Sequence, residues 1–393
     1  MAICKECNQD YYGWCKPCNS KHSQNDFNKW TSGNGKIDKF IQDTQLNANY
    51  NDELIEWIPY DRFKDVKQIG KGGFGTIHYA RWIDGSIYNW DIKNQQWERY
   101  RKEKAVALKK FDNFVNFNDV LNEMEIHLKI YTKYNASIRF YGITQDPETH
   151  SYMMVLEYAK DGNFREYLKI NFNNINWKQK LDNLYNLSLR LMRIHELDIV
   201  HQDLHPGNIL SSDFTINIYI SDFGLSKLIG TNPNNPKKKN IFGVLPYITP
   251  EVLSGDEEYT KAADVYSFGI IAYEMITGFP PYPDIPHDRD LAMKICNGLR
   301  PKIPFHTPKL ITRIIMRKNK NSEIVIQIKK AEEFSENQES TNTNYQTHPQ
   351  AIYTSQLLNY SNLPKPKNEE NFEKKLEELT ISDLCPSNSD LFI

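Results

Sequence analysis

The feature that most restricts what this chain can fold into is a polar octapeptide, His201-Gln202-Asp203-Leu204-His205-Pro206-Gly207-Asn208, held between apolar segments. Before it, Leu181, Leu184, Leu187, Leu191 and Ile194 recur at the spacing of a buried helix face and lead into Ile199-Val200. After it comes the apolar pair Ile209-Leu210. A short polar loop bracketed by core segments is presented by a rigid scaffold, which is where functional side chains concentrate. A second such point follows, where Ile218-Tyr219-Ile220 runs into Ser221-Asp222-Phe223-Gly224. An aspartate at a strand end is a natural ligand for a hard cation.

The pattern changes across the loop. Upstream lie short strand-like runs, Ile77-His78-Tyr79-Ala80, Ala105-Val106-Ala107-Leu108 and Tyr152-Met153-Met154-Val155-Leu156. A helix is predicted after Phe117, with Val120, Met124, Leu128 and Tyr131 on one face. Downstream, Val265, Phe268, Ile271, Ala272 and Met275 mark another helix, which stops at Gly278-Phe279-Pro280-Pro281. Strands first and helices second imply an α+β protein with a β-rich N-lobe and a helical C-lobe. The main domain is expected over residues 63–317. Residues 1–22 form a small Cys-rich module, and 23–62 a linker with a short helix from Asp38 to about Asn47. Residues 318–393 read as a polar, largely disordered tail with amphipathic helices near 323–335 and 370–381.

A net charge of −2 gives no reason to expect a nucleic-acid or membrane-surface partner, and Lys237, Lys238 and Lys239 read as a solvated loop. No apolar run approaches the roughly 18–20 residues that cross a bilayer, and Met1-Ala2-Ile3-Cys4-Lys5 lacks a signal-peptide core. A cytoplasmic or nuclear protein is expected.

Three further motifs carry chemistry. Gly70-Lys71-Gly72-Gly73-Phe74-Gly75 closes one strand-like segment, and Ile77 opens the next. Glycines let a backbone approach phosphate oxygens and offer them N–H groups, although a plain hairpin turn reads the same way. Strand rather than helix after the glycines favours a hairpin lid over a dinucleotide fold. Lys109 ends the apolar strand Val106-Ala107-Leu108, where it is either a snorkelling surface lysine or a partner for Glu123 on the next helix. Glu125 rivals Glu123 for that role.

Taken in order, these motifs resemble the signatures of the protein kinase superfamily. Thr249-Pro250-Glu251 looks like the end of an activation segment, and Asp264-Val265-Tyr266-Ser267-Phe268-Gly269 like the start of the kinases' central helix. The flavour is that of the tyrosine-kinase-like branch, in particular fungal members with a Cys-rich N-terminus. The resemblance implies the bilobal kinase fold, ATP and Mg²⁺ as cofactors, and a protein substrate, with serine or threonine favoured over tyrosine. By resemblance Gly70, Gly72, Gly73, Phe74, Gly75, Ile77, Ala107, Glu157 and Ala159 surround ATP, with Glu157-Tyr158-Ala159 as hinge and Leu156 guarding the back pocket. Lys109 holds the α- and β-phosphates and is braced by Glu123. Asp222 and Asn208 hold Mg²⁺, and Asp203 orients the acceptor hydroxyl and takes its proton. A pseudokinase serving as an ATP-binding scaffold is the alternative.

The chain departs from the family pattern in places. Gln202 replaces the arginine that usually meets a phosphorylated activation loop, and His205 stands where serine/threonine kinases usually carry lysine. Trp82 to Lys104 is a long insertion, and the C-lobe reads as shortened beyond Arg317, without the arginine that normally pairs with the residue matching Glu251. At the other end, Cys4-Lys5-Glu6-Cys7 and Cys15-Lys16-Pro17-Cys18 form two knuckles that suit tetrahedral Zn²⁺, with unpaired or redox-active thiols as the other reading. Partner docking through this module or the tail is a further expectation.

Overall fold

The structure is a computed structural model and describes residues 2–11, 13–72, 75–100, 102–111, 117–228, 241–301, 347–360 and 363–366. Strands β1 (Ala2–Ile3) and β2 (Asp10–Tyr11) make a hairpin, followed by helix α1 (Lys16–Asp26) with Cys15 at its N-cap and a proline in its first turn. Proline is tolerated there because that turn's N–H groups have no helical partner. Helix α2 (Gly35–Asn47) begins earlier than the expected Asp38, because the Asn34 side chain accepts from Lys36 N–H and caps it. Ile37 and Ile41, one turn apart on α2, are fully buried. Strand β3 (Glu56–Trp57) completes this unit.

The N-lobe continues through β4 (Phe63–Gly72), β5 (Gly75–Trp82), β6 (Ser86–Asp91), β7 (Gln96–Tyr100), β8 (Lys104–Phe111), α3 (Phe117–Tyr134), β9 (Phe140–Gln145) and β10 (Tyr152–Glu157). A six-stranded sheet has the order β3-β9-β10-β8-β5-β4, antiparallel except for the parallel β3–β9 pair. Ile37, Ile41 and Ile55 share one apolar cluster with Val120 and Met124 of α3. Residues 23–62 are therefore part of the N-lobe core, a correction to their reading as a linker. The insertion also has a structural use, since β6 and β7 pair as a hairpin. Trp97 stacks on Trp14 at 6.0 Å, Trp90 stacks on His22 at 4.0 Å, and Trp97 Nε1 donates to Asp26 at 3.1 Å. The insertion is the platform on which the Cys-rich module sits.

The C-lobe holds α4 (Phe164–Asn171), α5 (Trp177–Glu196), β11 (Ile199–Val200), β12 (Ile209–Leu210), β13 (Tyr219–Ile220), β14 (Lys227–Leu228), β15 (Ile241–Gly243), α6 (Pro250–Ser254), α7 (Lys261–Thr277) and α8 (Arg289–Cys296). The apolar spacing read for α5 and α7 marks their packing face, with Leu187, Leu191, Ile271 and Met275 in one cluster, except that Val265, read on the α7 face, is 53% exposed. α7 ends where expected, at Gly278, whose φ of 74° is the left-handed conformation of a helix C-cap. Of the tail that reads as largely disordered, most lies outside the described residues. Residues 347–360 lie folded on the C-lobe, and β16 (Gln356–Leu358) pairs antiparallel with β15. A short strand on a sheet edge can be specified by its partner's open hydrogen-bonding groups, which sequence periodicity does not show. The helices expected near 323–335 and 370–381, and the residues around Arg317, lie outside the described residues. No helix among the described residues is long and apolar enough to cross a membrane.

Candidate active site

Strand β8 and helix α3 set the first pair. Lys109 is buried, and its Nζ donates to Glu123 Oε1 and, at 2.8 Å, to Asp222 Oδ1. Glu125 is exposed, so the helix register decides between the two glutamates in favour of Glu123. Burial by itself would lower the Lys109 pKa, but the Asp222 and Glu123 carboxylates override it and raise it. Burial would likewise raise that of Asp222, and the Lys109 ammonium brings it below the usual carboxylate range. Burial raises the Glu123 pKa, opposed by the Lys109 ammonium.

The β12–β13 hairpin brings the two polar loops together. Ser221 N–H donates to Asn208 O at 2.9 Å, and Asn208 Nδ2 donates to Asp203 O at 2.9 Å and to its Oδ2 at 3.3 Å. Asp264, at the start of α7, accepts the backbone N–H of His201 at 2.8 Å and of Gln202 at 3.1 Å. Gln202 (φ 68°) and Asp222 (φ 65°) are both left-handed, a conformation that persists only when surroundings over-determine it. For Gln202 that constraint is Asp264. Behind Asp222, Phe223 is fully buried between the rings of His127 at 5.4 Å and His201 at 5.2 Å. Burial pushes the His127 pKa down to about 4.

Between the lobes lies a cleft of about 610 Å³, lined by Gly70, Gly72, Ile77, Ala107, Lys109, Glu123, Leu156, Glu157, Ala159, Asn208 and Asp222. That volume suits a nucleotide-sized ligand. Gly75, one of the predicted glycines, is close-packed on the next strand: a Cβ there would collide with the Lys110 carbonyl oxygen. Gly73 and Phe74 lie outside the described residues. Asn208 and Asp222 offer only oxygen donors at one end of the cleft, a set that fits a hard divalent cation.

Three features went unread as site elements. Asp264 fixes the loop backbone, a role beyond the helix start that its motif marks. Arg165 Nε donates to Glu274 at 3.1 Å and its Nη2 to the Tyr247 hydroxyl at 2.7 Å, both buried. The third is Ser355, whose hydroxyl donates to Asp203 Oδ2 at 2.5 Å. Nothing local in the sequence marks such long-range partners.

The Cys-rich module forms a second candidate site. The Sγ atoms of Cys4, Cys7, Cys15 and Cys18 all lie within 4.8 Å of one another, with Cys4–Cys18 at 3.7 Å and Cys7–Cys15 at 3.5 Å. Tetrahedral Zn²⁺ with Zn–S bonds of about 2.3 Å separates its sulfurs by about 3.8 Å, so the thiols fit that ion. All four are free of disulfides.

A bilobal α+β fold with a lysine–glutamate pair and two metal-suited oxygen donors in the interlobe cleft defines a phosphoryl-transfer class of protein. The family model for protein tyrosine and serine/threonine kinases matches residues 63–333. The chain belongs to the protein kinase family. It is 28% identical over 246 residues to tyrosine-protein kinase SPK-1 of Girardia tigrina, covering 62% of this chain and 45% of that protein. It is 29% identical over 273 residues to probable serine/threonine-protein kinase roco5 of Dictyostelium discoideum, covering 65% of this chain and 9% of that one. A second Dictyostelium discoideum protein, probable serine/threonine-protein kinase DDB_G0275165, is 29% identical over 280 residues, covering 69% of this chain and 27% of its own length. The chain thus spans less than half the length of each of these relatives.

Proposed function

We propose that the chain is an active ATP-dependent protein kinase that phosphorylates serine or threonine. The observation that carries this reading is the bridging of Glu123 and Asp222 by Lys109 inside a cleft that Asn208 also lines. Gly70 and Gly72 let the β4–β5 turn approach the phosphates of ATP, and Lys109 neutralises their charge. Leu156, Glu157 and Ala159 form the wall for the base. Asn208 and Asp222 would hold Mg²⁺, which when bound offsets negative charge on the β- and γ-phosphate oxygens. Asp203 orients the acceptor hydroxyl and accepts its proton. Positioning and charge stabilisation are what phosphoryl transfer needs, and all of these groups sit on the rigid elements described above. A serine/threonine preference is supported by the names of the Dictyostelium relatives and by the seat of a serine hydroxyl on Asp203.

The test is phosphate transfer from Mg²⁺-ATP to casein. Asp203→Ala should lower the rate by about 10²–10⁴-fold, the usual worth of a general base. Nucleotide binding without any transfer by the unaltered chain would replace this reading with an ATP-binding scaffold.

For the N-terminal module the reading is structural Zn²⁺ held by Cys4, Cys7, Cys15 and Cys18, in a cytoplasmic or nuclear setting where thiols stay reduced. Metal analysis should find one zinc per chain and none in a Cys4→Ser/Cys7→Ser variant; no zinc in the unaltered protein would exclude the site.

A further inference from the structure

Residues 347–360 run along the C-lobe side of the cleft and put a hydroxyl on the candidate base. Both flanks of Ser355 are fixed. On its N-terminal side, Arg165 Nη1 donates to Tyr353 O at 2.8 Å, and the Tyr353 hydroxyl donates to Pro281 O at 2.9 Å. Further back, His287 N–H donates to Gln350 O at 2.9 Å. On its C-terminal side, Gln356, Leu357 and Leu358 pair with Gly243, Phe242 and Ile241 of β15. Leu358 is buried in a cluster with Leu245, Ile248, Val252 and Leu253.

Between these anchors the Ser355 hydroxyl is oriented. His205 Nδ1 accepts from Gly207 N–H at 3.1 Å, so its ring proton sits on Nε2, 3.2 Å from Ser355 Oγ. Nε2–H therefore donates to Ser355 Oγ, which in turn donates its own proton to Asp203 Oδ2 at 2.5 Å. One lone pair on Oγ remains unused, and Ser355 lines the cleft together with Lys109, Asn208 and Asp222. An inert plug would need no hydroxyl at this point. Here the nucleophile touches the base and is aligned by a residue two positions along the same loop.

We propose that Ser355 is this chain's own phosphoacceptor, modified within the same molecule. The inference rests on the kinase reading above. Ser355 Oγ forms a bond to the γ-phosphorus of ATP, the bond from that phosphorus to the β–γ bridging oxygen breaks, and ADP leaves. The hydroxyl proton passes to Asp203 Oδ2 and then to water. The product carries about −1.5 to −2 charge beside the Asp203 carboxylate, a repulsion that loosens the segment and opens the cleft to other protein substrates.

The test incubates the full chain and casein with Mg²⁺-ATP in one reaction and maps phosphate by mass spectrometry. Phosphate should appear on Ser355 at a fractional rate independent of chain concentration, and should vanish from 347–360 in Ser355→Ala. Labelled casein with unlabelled Ser355 overturns the proposal and leaves the kinase reading standing, whereas neither labelled overturns both. A fractional rate that rises with chain concentration, or phosphate on Tyr353 or Thr354 instead, also overturns it. A nucleotide-free readout stands beside these: amides of 356–358 should exchange hydrogen more slowly in the intact chain than in a free peptide of 347–366. Equal exchange removes the docked geometry, and the proposal with it.

Discussion

The catalytic core carries two additions, and they are attached in different ways. The N-terminal unit, residues 2–57 with the β6–β7 hairpin, is joined through apolar side chains. Ile37 and Ile41 cluster with Val120 and Met124 of α3, and Trp14, Ala48 and Leu54 form a cluster with Ile87 against which Trp97 packs. The C-terminal segment 347–360 is held by backbone and polar contacts and three strand pairs, with one buried leucine and the partly buried Tyr353 and Tyr360 as its apolar anchors. Large buried apolar area is lost only when the fold opens, while short strand pairings and part-buried hydrogen bonds can open locally. The first addition is a permanent part of the N-lobe and braces the helix that carries Glu123. The second is anchored over a smaller apolar area, so it can open without the core.

Substitutions can break or sharpen this contrast. Trp14→Ala should produce the largest change, destabilising the protein by about 3–5 kcal/mol in urea unfolding, as truncation of a buried tryptophan does. A loss confined to the first few residues, with the remainder melting unchanged, would show that the N-terminal unit is not joined to the core.

The helix gripped by that unit should also give the protein a pH limit. His127 is buried and its pKa is lowered from 6.5 to about 4, so the folded state keeps it neutral. Between those values the unfolded chain binds more protons than the folded one. The stability His127 contributes is fully present above pH 6.5 and is lost as pH falls towards 4, in total about 3 kcal/mol. Urea unfolding across this range should show that slope in the unaltered protein and a shallower one in His127→Phe.

Leu358→Asp should have the smallest global effect, under about 1 kcal/mol in the cooperative transition, while speeding proteolytic cleavage within 347–360. A global loss as large as that of Trp14→Ala would mean that the segment is structural after all.

Much of the fold was legible because its signals are local. The helix faces of α3, α5 and α7 follow from apolar spacing, and the order of strands before helices gave the two lobes. The site was legible for a related reason. Asp203 and Asn208 are five residues apart in one loop, and the β12–β13 hairpin needs only a short connection to bring Asp222 alongside. Choosing Glu123 over Glu125 needed the rotation of α3 against the sheet. The use of the insertion needed the tryptophans of β6–β7 to meet Trp14 across the N-lobe.

By itself the sequence determined the chemistry available: a lysine, two glutamates as candidates, a base and two oxygen ligands in a fixed order, and four thiols paired by two-residue gaps. Those follow from residue type and from distances the chain can span in a single loop or turn. Only the tertiary structure decided what stands in front of Asp203. Ser355 and Asp203 are separated by 152 positions, and a polar, Asn-rich tail has no periodicity that reveals a partner. Their meeting depends on the open edge of β15, the Leu358 pocket and the Arg165–Tyr353 contact forming together. Hydrogen-bonding groups on a strand edge are the same for every sequence, so what docks there is settled by shape and reach rather than by pattern.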